Sequence, residues 1–210
     1  RLIDATHPFA AQMSTNAARA AALTGVPLLA IRRPAWSRER GDDWIEVDGM
    51  AEAVAALGAE PRRVFLTIGR QEAGAFAAAP QHSYLARTVE PLAGILPVPH
   101  LTALEARGPF DAASEAALMR ANRIEIVVSK NAGGAATYGK IAAARSLGLP
   151  VVMVRRPGAV RLHRPQGRGT GVIACVQPAA RVRFVRDAGH VGLGRPAHHH
   201  DREAEAPRRR

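Results

Sequence analysis

The sequence holds two copies of one arrangement: an alanine-rich helix, a glycine, a proline, an apolar strand and Arg-Arg-Pro. The copies are "AARAAALTGVPLLAIRRP", which ends at Pro34, and "IAAARSLGLPVVMVRRP", which ends at Pro157. A glycine can end a helix in the left-handed conformation, and the β-branched run after it favours a buried strand. Because helices of this kind join parallel strands, the repeat predicts an α/β protein whose parallel sheets are covered by helices on both faces.

Other segments continue the alternation of strands and helices. "LIDA" is typical of a short first strand, and "THPFAAQMSTNAARAAALTG" predicts a helix with Thr6 or His7 as its N-cap and Pro8 in its first turn. "DDWIEV" and "MAEAVAALG" predict a strand and a helix. "RRVFLTIGRQEAGAFAAAP" and "RIEIVVSKNAGGAATYGKIAAA" each predict a strand, a glycine-containing loop and a helix.

The basic charge is concentrated at the carboxyl end of the chain. The 210 residues carry a formal net charge of +11, but residues 1–154 hold 16 Lys+Arg against 14 Asp+Glu, and residues 155–210 hold 13 against 4. Phe184 is the only aromatic residue in the second part, so no stacking platform accompanies the charge and nucleic acid is not an expected partner. Cys175 is the only cysteine and no long apolar run occurs, which favours a cytoplasmic protein without a membrane span.

Three loops that follow predicted strands carry the candidate ligand groups: "DATHPFA", "TIGRQ" and "SKNAGG". Ligands of open α/β sheets bind at the carboxyl ends of strands, where loop side chains and free backbone amides meet. The loops contain neither a phosphate-binding Walker sequence nor the dinucleotide fingerprint, and no residue cluster has the spacing of a metal site. Simple structural roles are the alternative: Thr6 as a helix cap, Arg70 and Lys130 as surface cations, and Gly133 with Gly134 as a flexible turn.

Five segments together resemble the precorrin-6A reductase family of cobalamin biosynthesis: "DATHPFAAQMSTNAARAA", "VPLLAIRRPAW", "RVFLTIGRQEAGAF", "ARGPF" and "VSKNAGGAATYGKIAAARSLGLPVVMVRRP". The resemblance covers residues 2–157. It implies two Rossmann-like parallel-sheet domains facing a cleft, with the first one incomplete in this chain. It also implies an NADPH-dependent oxidoreductase that reduces one double bond of precorrin-6A to give precorrin-6B, acting as a monomer on a tetrapyrrole. Neither a flavin nor a metal is expected.

The resemblance also implies roles for the residues of the three loops. Cofactor contacts are expected from the loop after the first strand, namely Asp4, Thr6, His7 and Pro8. Substrate contacts are expected from the other two loops, namely Arg70, Gln71, Lys130, Asn131, Gly133 and Gly134. The physical basis is that cations and N–H donors suit the acetate and propionate carboxylates on the rim of the macrocycle. His7 is a candidate proton donor; the alternatives are that it only orients a ligand and that the proton comes from solvent.

The same comparison predicts a division of the chain. Residues 1–48 are assigned to the remainder of the NADPH-binding domain, residues 49–160 to the second domain, and residues 161–210 to a basic, disordered tail in which "GVIACV" forms one strand. The composition of that tail is also what an out-of-frame reading of a GC-rich gene would give.

Three alternatives remain open at this point. The chain could act on the cobalt-containing analogue, or bind a tetrapyrrole or nucleotide without reducing it. It could also be an unrelated α/β transferase. Because a family member carries a glycine loop ahead of "DATHP" and this sequence opens at Arg1, weak NADPH binding is also expected.

Overall fold

The computed structural model describes residues 1–157 and 172–175. It contains parallel strands, α-helices and one 3₁₀ helix in alternation. In chain order the elements are β1 (Leu2–Asp4), α1 (Ala11–Thr24), β2 (Leu28–Arg32), β3 (Trp44–Val47), α2 (Met50–Ala55), β4 (Arg63–Thr67), α3 (Arg70–Ala73), the 3₁₀ helix (Gly74–Ala78), β5 (Ser83–Thr88), β6 (Leu101–Glu105), α4 (Ala112–Ala121), β7 (Ile126–Lys130), α5 (Gly139–Leu147), β8 (Val151–Val154) and β9 (Val172–Cys175).

The strands form two sheets, and every strand pair is parallel. The first sheet has the order β1-β2-β9, and the second has the order β3-β8-β7-β4-β5-β6. This confirms the predicted α/β class with two parallel sheets. The predicted domain limits stay a prediction, although β3 pairs within the second sheet and precedes the proposed boundary at residue 48.

The hydrophobic core lies on the two faces of the second sheet. Side chains alternate along β4, so that Val64 and Leu66 join the cluster on one face while Phe65 joins the cluster on the other. The first cluster includes Phe76 of the 3₁₀ helix, and the second includes Ile141 of α5. Strands buried on both faces explain why "VFL" and "IVV" are continuous apolar runs in the sequence.

The carboxyl end of the chain contributes one strand to the first sheet. β9 pairs with β2 in parallel, with Leu29 opposite Val172 and Arg32 opposite Cys175. This strand confirms the prediction made from "GVIACV". The remaining predictions for residues 161–210 fall outside the described residues.

The start of α1 differs from the prediction. The helix begins at Ala11 with Ala10 as its N-cap, so Thr6 and His7 do not cap it. The Thr6 hydroxyl and amide donate instead to Asp4 Oδ1, at 2.6 and 3.0 Å, which turns this side chain back towards β1. Residues 5–10 are therefore a loop, and Pro8 lies in that loop rather than in a first helical turn.

The sequence predicts no element between residues 83 and 121, whereas β5, β6 and α4 lie there. β6 has no apolar run because it is an edge strand with mostly exposed side chains. α4 does carry a recognisable signal, since Asp111 at its N-cap accepts a hydrogen bond from the Ser114 amide at 2.9 Å. In the described ranges, no helix combines the length and apolar character needed to cross a bilayer.

Candidate functional site

A cavity of about 480 Å³ lies at the carboxyl edge of the second sheet. It is placed where β4, β5 and β6 end and where α3 and α5 begin, which is the usual ligand position of a parallel sheet. Its wall combines apolar and charged side chains. The lining residues are Thr67, Ile68, Gly69, Arg70, Gln71, Glu72, Arg87, Thr88, Val89, Glu90, Ala106, Gly108, Phe110, Thr137 and Lys140.

Two of the predicted substrate-binding residues line this cavity. Arg70 and Gln71 open the short helix α3, directly after β4 and Gly69. Arg70 Nε is buried, and no acceptor in residues 1–157 or 172–175 satisfies it. A buried guanidinium nitrogen without an acceptor costs free energy, so this site is suited to an incoming anion or carbonyl oxygen.

Lys130, at the end of β7, is paired within the protein. Its ammonium donates to Glu72 Oε1 at 2.5 Å and lies 5.0 Å from the centre of the Phe9 ring. Gly69 makes room for this pair, because a Cβ at Gly69 would lie 2.3 Å from Glu72 Oε2. Lys130 thus contacts residues that follow β1 and β4, and the Glu72 carboxylate balances its charge. Contact between Lys130 and substrate stays a prediction.

The third predicted loop, "SKNAGG" at the end of β7, holds the segment that links the two sheets. Asn131 accepts from the Trp36 amide at 2.8 Å and donates to the Trp36 carbonyl at 2.9 Å. The Trp36 indole donates to the Gly134 carbonyl at 2.9 Å. Gly133 has a φ of 69°, and a Cβ there would lie 1.9 Å from the Pro34 carbonyl oxygen. The amide of Asn131 and the close approach at Gly133 are thus used to fix residues 34–36, and a role of this loop in substrate binding stays a prediction.

The loop after β1 contains the predicted cofactor-binding residues. Asp4 is buried and receives hydrogen bonds from Arg32 and Thr6, which hold the pKa of its carboxyl far below the usual range. His7 Nδ1 accepts the Phe9 amide at 3.3 Å. Although His7 is exposed, partial loss of hydration, together with the nearby cations Lys130 and Arg33, lowers the pKa of its imidazole. His7 is therefore mostly neutral at pH 7. Pro8 lies in the turn that follows His7.

The structure adds charged residues that the sequence did not single out. Arg87 of β5 and Glu115 of α4 form a buried pair with two hydrogen bonds. The Arg87 guanidinium contacts the rings of Phe65 and Phe110, with its carbon at 5.0 and 3.7 Å from their centres. Lys140 faces this pair from the first turn of α5 and is only 5% exposed.

The environment of Lys140 disfavours its charge. Burial is the main cause and the cation Arg87 adds to it, so the pKa of Lys140 falls to about 8. Its ammonium donates to the Thr137 carbonyl at 3.0 Å and lies 5.3 Å from the Trp36 ring. Among the described residues, no group of three or more His, Cys, Asp or Glu side chains could hold a metal ion.

Comparison with known proteins gives one consistent family. Residues 1–177 match the model of the family described as "Precorrin-6x reductase CbiJ/CobK". The chain is 59% identical over 155 residues to a "Precorrin-6A reductase" from Sinorhizobium sp, with 74% of this chain and 59% of that protein covered. It is 54% identical over 156 residues to the "Precorrin-6A reductase" of Rhodobacter capsulatus, with 74% of this chain and 62% of that protein covered.

The solved structures agree with the sequence relatives. A structure titled "CobK precorrin-6A reductase" superimposes with a TM-score of 0.71 at 54% identity, and covers 74% of this chain and 62% of its own. The chain thus spans about three fifths of the length of the relatives that it matches. With a family match that runs through most of its residues, the chain belongs to the precorrin-6x reductase CbiJ/CobK family.

Proposed function

We propose that the chain serves the NADPH-dependent reduction of precorrin-6A to precorrin-6B in cobalamin biosynthesis. The observation that carries this proposal is its 59% identity over 155 residues to a protein named precorrin-6A reductase. The cavity at the carboxyl edge of the second sheet supports it, because an apolar wall with a few cations suits a flat macrocycle rimmed by carboxylates.

The loop after β1 fits the nicotinamide end of the cofactor. His7 Nδ1 accepts a hydrogen bond from the Phe9 amide, so the proton of the neutral ring is assigned to Nε2. This N–H group can donate to a carboxamide oxygen. When bound, NADPH supplies the hydride, and a proton completes the reduction of one carbon–carbon double bond, with NADP⁺ as the other product. The chain's own task is to orient the two partners and to exclude water from between them.

The lowered pKa of His7 bears on the origin of that proton. A mostly neutral imidazole at pH 7 is a poor general acid but a good hydrogen-bond donor. We therefore assign His7 the orienting role and leave the proton to solvent, which the exposure of this loop permits. In this assignment a His7→Gln variant, which keeps a donor, retains most of the activity, whereas a His7→Ala variant does not.

The test is an absorbance measurement on the full chain. Precorrin-6A is mixed with the protein in the presence and absence of NADPH, and the visible band of the macrocycle is followed together with the absorbance of NADPH. The proposal predicts a change of the macrocycle band that requires NADPH and that matches NADPH consumption one for one. A band that shifts on mixing with protein but never responds to NADPH would support a binding module instead. A parallel sample with cobalt-precorrin-6A shows which form is the substrate.

A further inference from the structure

The guanidinium of Arg32, the last residue of β2, fastens both ends of the loop that carries His7. Before the loop, it donates to the Asp4 carbonyl at 3.2 Å and to Asp4 Oδ2 at 2.5 Å. After the loop, it donates to the Ser14 hydroxyl in the first turn of α1, at 2.8 Å. Residues 5–10 are therefore held at their entry and at their exit by one planar side chain whose donors have a fixed geometry.

The hydroxyl groups at the two ends of the loop complete this network. The Thr6 hydroxyl donates to Asp4 Oδ1, so it is the acceptor in its 3.3 Å contact with the Ser14 hydroxyl. Asp4 Oδ1 also accepts from the Thr6 amide, and Oδ2 accepts from Arg32. The Asp4 side chain is 2% exposed. Because three donors of the protein share this buried carboxylate, it is a structural group of the loop.

The fastened loop reaches the second sheet through Phe9. Within the loop, the Phe9 amide donates to His7 Nδ1 at 3.3 Å, and the Ala10 amide donates to the His7 carbonyl at 2.8 Å. The Phe9 ring lies 5.0 Å from the Lys130 ammonium and packs against the hydrophobic core of the second sheet. The place of His7 is therefore set by the Arg32 network on the first sheet and by the contacts of Phe9 with the second.

We infer that Arg32 is a positioning residue for the reduction: through Asp4 and Ser14, it sets the loop that presents His7 to the nicotinamide end of the cofactor. The inference rests on the proposed function for the identity of the cofactor. Misplacement of a reacting group by about 1 Å can cost about 100-fold in rate, so a residue that fixes this loop affects turnover without touching the ligand. The alternative is that Arg32 only stabilises the first sheet through its ion pair with Asp4.

The second Arg-Arg-Pro segment supplies a matched comparison. Arg155 stands directly after β8, much as Arg32 stands at the end of β2, and it donates to Asp48 at 2.7 Å. The Arg155 and Asp48 side chains are 50% and 68% exposed. Gly49 alone separates Asp48 from α2, so this arginine fastens no loop. Arg155→Met is therefore a control for the loss of an arginine at a strand end.

The imidazole of His7 reports where the loop lies. Partial loss of hydration lowers its pKa below the ordinary 6.5, and the cations Lys130, Arg33 and Arg156 lower it further. The carboxylate of Glu72 acts in the opposite direction. All four charged groups belong to other elements, so their effect depends on how closely the loop approaches them. Release of the loop is therefore expected to bring the pKa of His7 nearer to 6.5.

The first measurement is an NMR titration of His7 with pH, on the full chain without cofactor or substrate. The resonance is assigned by its loss in a His7→Gln variant. We expect the pKa of His7 to rise in Arg32→Met and in Ser14→Ala, and to stay unchanged in Arg155→Met. Because loss of a cation also raises this pKa directly, Ser14→Ala decides: it removes the bridge to α1 and leaves every charge in place. This mild substitution also keeps the test decisive if Arg32→Met does not fold, which circular dichroism establishes.

The second measurement is the turnover of precorrin-6A with NADPH. Loss of positioning is expected to lower kcat about 10- to 100-fold in Arg32→Met, with a change of less than about 3-fold in the KM for precorrin-6A. The Arg155→Met variant is expected to keep both values. A role in stability alone predicts that the folded Arg32→Met protein keeps its kcat.

Three outcomes would overturn the inference. One is an unchanged pKa of His7 in the folded Ser14→Ala variant. Another is a shift of the same size in Arg155→Met, which would indicate a general loosening of the fold. The third is a folded Arg32→Met variant whose His7 has shifted and whose kcat has not changed. If the unmodified chain does not reduce precorrin-6A, the proposed function fails, and the His7 titration still decides whether Arg32 sets the loop.

Discussion

The helix–strand pairs α1–β2 and α5–β8 have nearly the same sequence pattern and very different surroundings. Both helices end at a left-handed glycine, Gly25 with a φ of 68° and Gly148 with a φ of 63°. α1 has no buried residue, whereas α5 has five. β8 lies inside the six-stranded sheet and is buried throughout, while only two of the five residues of β2 are buried. The pattern determines the local junction, and the neighbouring elements determine how much of it is buried.

The ion pair that accompanies each helix–strand unit shows the opposite contrast. Arg32, the last residue of β2, binds Asp4 at the end of β1, and Arg155, directly after β8, binds Asp48, directly after β3. The Asp4 side chain is 2% exposed and the Asp48 side chain 68%. The first unit thus has the more buried ion pair, although its helix and its strand are less buried than those of the second unit. Burial is thus set residue by residue and not for a whole unit.

The largest expected effect is at the buried face of α5. Ile141 is fully buried against the second sheet, so Ile141→Ala removes apolar contacts and leaves a cavity. We expect the free energy of unfolding to fall by about 2–5 kcal/mol in urea titrations. Leu23→Ala in α1 is the matched control, since Leu23 is 78% exposed and the expected change is within about 0.5 kcal/mol. Similar losses for the two variants would contradict the contrast in burial between α1 and α5.

The second prediction concerns the two aspartates. Asp4→Asn removes a buried acceptor of the Arg32 and Thr6 hydrogen bonds and is expected to cost about 1–3 kcal/mol at pH 7. Because the folded state lowers the pKa of Asp4, the stabilisation is present above its ordinary value of 3.8 and is lost as the pH falls below that value. The difference between the unmodified chain and Asp4→Asn should therefore shrink in acid. The exposed Asp48→Asn variant should show a much smaller difference at every pH, and equal effects would contradict the burial contrast.

The third prediction compares the second residue of each helix. Lys140→Met should raise the free energy of unfolding by about 1–2 kcal/mol at pH 7, because it removes a desolvated cation from the positive end of α5. Below pH 8 the Lys140 amine is protonated in both the native and the unfolded chain, so the gain in the free energy of unfolding stays constant. Between pH 8 and 10.5 the lysine is protonated only in the unfolded chain, so the unmodified protein becomes more stable as the pH rises. The difference in the free energy of unfolding between Lys140→Met and the unmodified protein therefore becomes smaller. Gln12→Met in α1 should be nearly neutral at all pH values. A less stable Lys140→Met variant would assign Lys140 a structural role instead.

The smallest expected effect is at the two helix-ending glycines. A Cβ at Gly25 or Gly148 would meet no atom within 4 Å, so the cost of alanine comes from the positive φ alone. We expect a loss of about 1 kcal/mol for either variant, measured by thermal unfolding. Equal losses would show that the junction is a local structure. A clearly larger loss for Gly148→Ala would mean that the surroundings of α5 also constrain its end.

The sequence was most informative where structure is local. Glycine and proline determine the ends of α1 and α5, and apolar runs determine β4 and β7, so these elements could be predicted. The contacts of the candidate site depend on residues far apart in the chain. Asn131 is bound to Trp36 across 95 positions, and Lys130 is paired with Glu72 across 58 positions. No local pattern distinguishes a lysine with a carboxylate partner from one without, so the different surroundings of Lys130 and Lys140 could not be inferred from the sequence.

The position of β9 has a consequence for how the protein is made. β2 is synthesised well before its partner on one side, because that partner lies at residues 172–175, about 140 positions later. All strands of the six-stranded sheet lie between residues 44 and 154, so that sheet can assemble first as the polypeptide leaves the ribosome. Until β9 emerges, one edge of β2 has no partner, and the large loop closure makes this pairing slow. We therefore expect the first sheet to be the last part to reach its native form, and its exposed strand edge to be the point at which the nascent chain is most prone to aggregate.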